Sequence, residues 1–118
     1  VRSRRQRQMC IRDRLLYRDK LPKFNNGGRM VFNCFDYPRD IDTPRIHPTQ
    51  KSVPLLERLI ELFTDAGDVV IDPCAGSGTT LLAAAQCGRK AYGFEIKKKF
   101  YADANKIILS RMQPRMFV

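Results

Sequence analysis

The chain has 118 residues, with 22 Lys or Arg against 12 Asp or Glu, so its formal net charge is +10. That length is enough for one small domain and excludes a multidomain enzyme within this chain. No apolar run approaches the roughly 18 residues of a membrane span, and no apolar signal segment follows the basic start, so we expect a cytoplasmic protein without membrane contact.

The first segment of the chain is strongly basic. Residues 1–29 contain ten Lys or Arg and two Asp, whereas residues 30–118 are nearly neutral. A basic arm beside a neutral body suits nucleic acid electrostatically. A solvated tail explains residues 1–14 at least as well, and we interpret them as a non-native or disordered basic tail.

The stretch that follows predicts little regular structure before residue 52. Residues 15–28 form a polar loop region that ends in an Asn- and Gly-rich turn. Residues 29–35 are rich in β-forming side chains and predict a strand. Three prolines between residues 36 and 48 predict an extended connector.

A helix is predicted over residues 53–63. Ser52 is a candidate N-cap, and Pro54 falls in the first turn, where proline is tolerated. Residues 64–67 then end the helix. Apolar side chains recur at spacings that place them on one helical face: Val53, Leu56, Leu59, Ile60 and Phe63.

From residue 68 onwards, strands and helices alternate. Residues 68–72 form a short β-branched run typical of a buried parallel strand, and residues 91–96 predict a second strand. Residues 79–86 predict the helix between them, ended by Gly88. This order predicts an α/β fold with a parallel sheet. Residues 97–112 predict a last helix with Tyr101, Ala104 and Ile108 on one face.

The metal-binding residue types are scattered along the chain. Cys10, Cys34, Cys74 and Cys87 include no C-x2-C pair, and His47 is the single histidine. We therefore expect no metal ion. Without a signal segment we expect the thiols to be reduced, as in a cytoplasmic protein.

A glycine-rich turn, DPCAGSGTT at residues 72–80, separates the first strand of the alternating part from its helix. Gly76 and Gly78 allow the backbone to turn tightly and to approach a ligand, and the next helix presents free N–H groups. Glu95 follows Asp72 by 23 residues, a separation at which an acidic side chain can bind ribose hydroxyls. The pair predicts a nucleoside-cofactor site, whereas an isolated G-x-G more often forms a tight turn without a ligand.

Two other phosphate-binding motifs do not match this turn. A P-loop requires a lysine directly after its last glycine, and none follows Gly78. A dinucleotide fingerprint requires a third glycine where the chain has Leu81.

The segment HPTQK at residues 47–51 opens the first predicted helix. Thr49 and Gln50 supply neutral hydrogen-bonding groups, and Lys51 supplies a cation. At a helix start this set could hold a carboxylate. Ordinary capping, with a solvated lysine and a His47 that only packs, is an alternative that the pattern leaves open.

Together the two segments resemble S-adenosylmethionine-dependent DNA methyltransferases of the permuted subgroup that acts on exocyclic amino groups. In that family a segment like HPTQK precedes a helix like SVPLLERLIELF and then a strand ending in D-P-F-x-G-S-G-T. The similarity covers residues 46–109. It implies a partial Rossmann-like methyltransferase fold with a parallel sheet, an incomplete fragment from the C-terminal portion of such an enzyme. Residues 15–46 would be a remnant of the target-recognition or connector region, and residues 47–118 the cofactor-binding part.

The resemblance implies S-adenosylmethionine as cofactor and double-stranded DNA as partner of the full-length enzyme. Glu95 would bind the ribose of the cofactor. Cys74 stands where the family usually has phenylalanine, so it would contact less of the cofactor. The full set of implied cofactor-binding residues is Thr49, Gln50, Lys51, Asp72, Pro73, Cys74, Gly76, Gly78, Thr79 and Glu95.

The catalytic motif of that family is absent from this chain. It reads [DNS]-P-P-[YFW] and holds the target amino group and the extruded base, but no Pro-Pro occurs here. Asp36-Tyr37-Pro38 has similar letters in the wrong order, and we assign no catalytic residue. Adenine N6 is the favoured target. The alternatives are a cytosine-N4 enzyme, an RNA or protein methyltransferase, and a non-enzymatic DNA-binding fragment.

Overall fold

A computed structural model describes residues 19, 24–32, 34 and 36–112. The predicted tail at residues 1–14 lies outside these residues. Within the described part the fold is α/β, as predicted. Its elements in chain order are α1 (Val53–Phe63), β1 (Val69–Asp72), α2 (Thr79–Gln86), β2 (Lys90–Gly93) and α3 (Lys98–Asp103), which continues as a π-helical turn (Ala104–Ile108) and a 3-10 turn (Leu109–Arg111).

The core forms where α1 packs against α2. The apolar face of α1 buries Val53, Leu56 and Ile60, and the periodicity of these positions matches the predicted helix. Small side chains on α2 allow the two helices to approach closely, and Ile108 closes the core from the C-terminal segment. The buried members of this cluster are Val53, Leu56, Ile60, Leu82, Ala83, Ala84 and Ile108.

The two strands pair in parallel, in a register that aligns Val69 with Lys90 and Asp72 with Gly93. One face of the sheet packs on the core through Val70 and Ala91. No described element covers the opposite face, whose apolar side chains are between 52% and 63% exposed. These side chains are Val69, Ile71, Tyr92 and Phe94. Parallel sheets are normally covered on both faces. In the described part of the chain, one face of the sheet is covered and the other is open.

Two strand predictions need correction. In residues 29–32 and 34 the structure has no strand; Asn33 and Phe35 lie outside the described residues. The side-chain amide of Asn26 donates to the carbonyls of Arg29 and Met30 instead, which forms a local turn. The second strand ends at Gly93 rather than residue 96, because β1 ends opposite it at Asp72; the Phe94 N–H still donates to the Asp72 carbonyl at 3.0 Å.

The last predicted helix is also different in detail. Its second half is π-helical, and Tyr101 is exposed, unlike Ala104 and Ile108, with which it was predicted to share a face. A π-turn has a wider period than an α-helix, which brings positions four apart onto one face. Ala104 and Ile108 are both buried, and Phe100, four residues before Ala104, is half-buried.

The N-terminus of α1 is capped by a side chain from the preceding connector. Ser52 occupies the N-cap, as predicted, but its side chain makes no capping bond and its buried Oγ has no partner among the described residues. Instead, the Val53 N–H donates to Oδ2 of Asp40 at 2.9 Å, and the Thr43 N–H donates to Oδ1 at 3.0 Å. One carboxylate thus joins the connector to the helix.

No helix in the described part of the chain is long and apolar enough to cross a membrane. Within the same residues, no three His, Cys, Asp or Glu side chains lie close enough together to hold a metal ion.

We predict that Asp40→Ala lowers the free energy of unfolding by about 1 kcal/mol, because both N–H groups lose their acceptor. Ser52→Ala is the matched control. It removes a buried hydroxyl without a partner and should leave stability unchanged or slightly higher. Urea unfolding measures both variants, and a larger loss for Ser52→Ala would contradict the remote cap.

The carboxyl group of Glu57 provides a second test. Partial burial raises its pKa, and the nearby Glu61 and Asp40 carboxylates raise it further. The folded chain therefore binds this proton more tightly than the unfolded chain does. Stability falls as pH rises from the ordinary glutamate pKa of about 4.3 through the raised value.

Glu57→Gln should accordingly stabilise the chain at pH 7 and have little effect below that window. The measurement is urea unfolding at pH 7 and at a pH below the ordinary glutamate pKa of about 4.3. An equal effect at the two pH values would contradict the electrostatic cause.

Candidate functional site

A cleft of about 500 Å³ opens at the carboxyl ends of β1 and β2. In parallel α/β sheets this edge is the usual place for ligands, because the loops and helix N-termini meet there. Three segments form its walls: the HPTQK segment, the glycine loop after β1 and the residues that follow β2. The lining residues are His47, Thr49, Gln50, Lys51, Asp72, Pro73, Cys74, Ala75, Gly76, Ser77, Thr79, Thr80, Phe94, Glu95, Ile96, Lys97 and Phe100.

The glycine loop is shaped by hydrogen bonds at both of its ends. The Cys74 N–H donates to Oδ1 of Asp72 at 3.0 Å, and the Ala75 N–H donates to the carbonyl of Phe94 at 2.9 Å. Gly76 has φ +53°, a left-handed conformation that side chains rarely adopt. The loop is thereby turned toward the segment after β2.

Glu95 connects the two loops. Its Oε2 accepts the Gly76 N–H at 3.0 Å, and its Oε1 accepts the Lys97 N–H at 2.7 Å. Each carboxylate oxygen therefore has one backbone partner and further lone pairs to offer. Glu95 is half-buried and lies two residues beyond the end of β2, not within the strand as predicted.

The HPTQK segment divides its side chains between structure and cleft. Gln50 is committed to the connector: its Oε1 accepts the Ile46 N–H at 3.0 Å and its Nε2 donates to the Pro44 carbonyl at 2.8 Å. Thr49 is exposed, with its hydroxyl 3.1 Å from Nδ1 of His47. Lys51 is exposed at the wall of the cleft. This segment thus presents a hydroxyl and a cation, while its amide is used as a brace.

Most of the residues predicted from the sequence are brought together here. Gly78 is the exception, since it is buried behind the cleft, and a Cβ on it would meet Ala104 at 3.4 Å and Leu109 at 3.5 Å. Thr79 lines the cleft but is buried, with its hydroxyl 3.3 Å from that of Ser77. The predicted residues that line the cleft are Thr49, Gln50, Lys51, Asp72, Pro73, Cys74, Gly76, Thr79 and Glu95.

The sequence prediction did not include eight of the lining residues, which are His47, Ala75, Ser77, Thr80, Phe94, Ile96, Lys97 and Phe100. Phe94 and Ile96 flank Glu95 and expose apolar surface. Their apolar side chains on either side of an acidic residue are visible in the sequence, but they were assigned to the predicted strand. His47 and Phe100 pack ring against ring, with centroids 4.3 Å apart at 56°. No sequence pattern links two residues 53 positions apart, so only the fold could reveal this pair.

Comparison with known proteins decides the family. The DNA methylase family profile for N6 and N4 enzymes matches residues 6–106. The chain belongs to this DNA methylase family. It is 40% identical over 87 residues to the DNA adenine methyltransferase YhdJ of Escherichia coli K12, covering 71% of this chain and 30% of YhdJ. It is 45% identical over 60 residues to the type II methyltransferase M2.DpnII of Streptococcus pneumoniae, covering 51% of this chain and 22% of that protein.

Solved structures of this family share the fold. The M1.HpyAVI–SAM complex superposes with a TM-score of 0.63 at 33% identity, covering 75% of this chain and 44% of that one. PvuII DNA methyltransferase, described as cytosine-N4-specific, gives 0.50 at 34% identity and covers 52% and 22%. These matches confirm the predicted DNA methyltransferase family and its fold, whereas the permuted order of its segments stays a prediction. The chain spans less than a third of the length of the curated relatives it matches.

We predict that Glu95→Ala loosens the glycine loop, because the Gly76 and Lys97 amides lose their acceptor. Hydrogen exchange of these two amides should accelerate, while exchange in the core of α2 stays unchanged. Lys98→Ala, at the exposed start of α3, is the control. Unchanged exchange at Gly76 in the Glu95 variant would contradict this role of the carboxylate.

Proposed function

We propose that this chain carries the cofactor-binding half of an S-adenosylmethionine-dependent DNA methyltransferase that modifies a base amino group. The observation that carries the proposal is the convergence of Glu95, the glycine loop and the HPTQK segment on one cleft. Membership of the DNA methylase family supports it. Adenine N6 is the target we favour, since the relative YhdJ is named an adenine methyltransferase. Cytosine N4 is the second candidate, because a structural relative is specific for it.

The acceptors in the cleft fit the ribose of this cofactor. Both oxygens of Glu95 keep lone pairs after accepting the Gly76 and Lys97 amides. A half-buried carboxylate held by two amides is already oriented, so binding two hydroxyls costs little further ordering. We assign Glu95 to the ribose on this ground.

The apolar and charged groups around Glu95 fit the rest of the cofactor. Phe94 and Ile96 expose apolar surface on both sides of the carboxylate, where a flat adenine ring could be buried. The opposite end of the cofactor is an amino acid that carries both charges. Lys51 can attract its carboxylate and Asp72 its ammonium group, and both line the cleft.

The contribution of these residues to catalysis is binding and orientation. When bound, S-adenosylmethionine supplies a methyl group on a positively charged sulfur. The cleft residues would hold that group in one place and exclude water from it. No described residue supplies the paired acceptors that hold a base amino group in this family. Asp36, Tyr37 and Pro38 are not among the residues that line the cleft.

The bare sheet face supports a division of the enzyme into parts. We propose that residues 47–118 form the cofactor-binding part, that residues 15–46 belong to the connector or target-recognition region, and that residues 1–14 are a tail. A parallel sheet needs cover on both faces. The apolar side chains of β1 and β2 would then pack against the remainder of the methylase domain, which also supplies the catalytic motif and the DNA contacts.

The cofactor assignment predicts a weak, localised interaction. In an NMR titration of the chain with S-adenosylmethionine, chemical-shift changes should concentrate at Gly76 and the residues beside Glu95. The dissociation constant should lie above the micromolar range, because a two-stranded sheet is only marginally stable alone. Glu95→Ala should weaken binding about tenfold, by loss of hydrogen bonds to the ribose. Lys98→Ala should leave binding unchanged. Equal effects of the two variants would remove the ribose assignment, and no shift in the cleft would contradict the proposed function.

The chain should also transfer no methyl group to DNA. It has candidates for holding the cofactor but none for holding the amine or the extruded base. The assay is tritium transfer from labelled S-adenosylmethionine to unmethylated DNA at high protein concentration. Incorporation above that of a Gly76→Asp control would show that a catalytic group exists here, with Asp36 the first candidate to mutate.

A further inference from the structure

Arg89 lies between the end of α2 and the start of β2, at the sheet edge opposite the cleft, and its side chain is half-buried. Its Nε atom donates to the Thr64 hydroxyl at 2.9 Å, and one terminal nitrogen donates to the Thr64 carbonyl at 2.7 Å. The other terminal nitrogen donates to the Cys87 carbonyl. Thr64 is the C-cap of α1, and Cys87 is the C-cap of α2. One guanidinium group therefore joins the C-terminal ends of both helices.

The charge of Arg89 suits this position. The C-terminal end of a helix carries partial negative charge, because its last carbonyls have no partner within the helix. Two such ends that lie side by side repel each other. Neither α1 nor α2 has a basic residue in its last turn. Arg89 supplies from outside both helices the cation that holds the two ends together.

The opposite ends of the same two helices bound the cleft. The HPTQK segment leads into α1, and the glycine loop leads into α2. The 11 residues of α1 and the 8 of α2 give lengths of about 16 Å and about 12 Å at the usual rise per residue. Because a helix moves as a rigid element, a slide or tilt at the Arg89 end would displace the segments that form the cleft walls.

The packing between the helices leaves their relative position to be set by another interaction. Leu56 and Ile60 of α1 pack in one cluster with Ala83 and Ala84 of α2, which are fully buried. Apolar burial is non-directional, and alanine side chains form low ridges that interlock weakly. The charge-assisted hydrogen bonds of Arg89 are directional, so they can fix how far α1 lies along α2.

We propose that Arg89 is a positioning residue for the cofactor cleft, which sets from the far ends of α1 and α2 the spacing between the HPTQK segment and the glycine loop. The inference rests on the proposed function. It gives a part in ligand binding to a side chain that is not among the residues lining the cleft. A purely structural arginine would stabilise the fold and leave the affinity of the folded chain unchanged.

The geometry of the cleft can be tested without a ligand. Arg89→Met removes the guanidinium group and keeps an apolar stem. The matched control is Arg58→Met, since Arg58 is an exposed arginine of α1 that donates to Oδ1 of Asn26 in the connector at 3.1 Å. The amide NMR signals of Thr49 and Gly76 should shift in the Arg89 variant and stay in place in the control. Unchanged signals of both amides in Arg89→Met would overturn the inference.

Affinity supplies the second readout, measured by titration with S-adenosylmethionine where urea unfolding shows each variant to be folded. Arg89→Met should weaken binding about tenfold, and Arg58→Met should leave it unchanged. Arg89→Lys keeps the charge but lacks the planar fork that reaches both helix ends. It should regain part of the stability lost in Arg89→Met while binding stays about fivefold weaker than in the unaltered chain.

The results separate the inference from the function on which it rests. Binding by the unaltered chain together with undiminished affinity in Arg89→Lys and Arg89→Met would overturn the role of Arg89 alone. Arg89→Lys gives this answer by itself where Arg89→Met does not fold. Weakening by Arg58→Met equal to that by Arg89→Met would show a general effect of lost stability and would also overturn it. Failure of the unaltered chain to bind would contradict the proposed function, and this inference with it.

Discussion

The cleft depends on one carboxylate. Glu95 accepts the Gly76 amide from the loop after β1 and the Lys97 amide from the start of α3. The backbone bond from the Ala75 N–H to the Phe94 carbonyl joins the same two loops, and Glu95 extends this link beyond a sheet that has only four residues per strand. The same oxygens are the acceptors that we assign to the cofactor ribose. The two hydrogen bonds that orient the Glu95 carboxylate are therefore the same bonds by which it joins the two loops.

Cover on the sheet is unequal. The face toward α1 and α2 is packed by Val70 and Ala91, whereas Ile71, Tyr92 and Phe94 on the other face are more than half exposed. Burying apolar surface contributes roughly 25 cal/mol per Å², and the described residues gain only part of this for these side chains. This asymmetry fits a chain that spans less than a third of its curated relatives, and it explains why we expect weak cofactor binding by the chain alone.

Different side chains of the HPTQK segment have different functions: one fixes the path of the backbone, and others line the cleft. Gln50 turns inward and binds the Ile46 amide and the Pro44 carbonyl. His47, Thr49 and Lys51 line the cleft beside it, and none of their side chains is bound in this way by the described part of the connector. A polar side chain whose donor and acceptor are both occupied by backbone fixes the path of the segment. Its neighbours are then presented in constant positions, which is what a binding site requires.

The sequence by itself determined the features that arise from local patterns. The apolar spacing predicts α1, the β-branched run predicts β1, and the glycines predict the turn before α2. Each of these patterns lies within a few residues of sequence. The acidic residue after β2 is visible in the same way. The tertiary structure decided the rest. That Gln50 bonds to the Pro44 carbonyl, that Gly78 faces Ala104, and that His47 meets Phe100 could not be read from local patterns. Sequence periodicity reports which face of an element is apolar, but which side chains of different elements come into contact depends on how those elements pack in three dimensions.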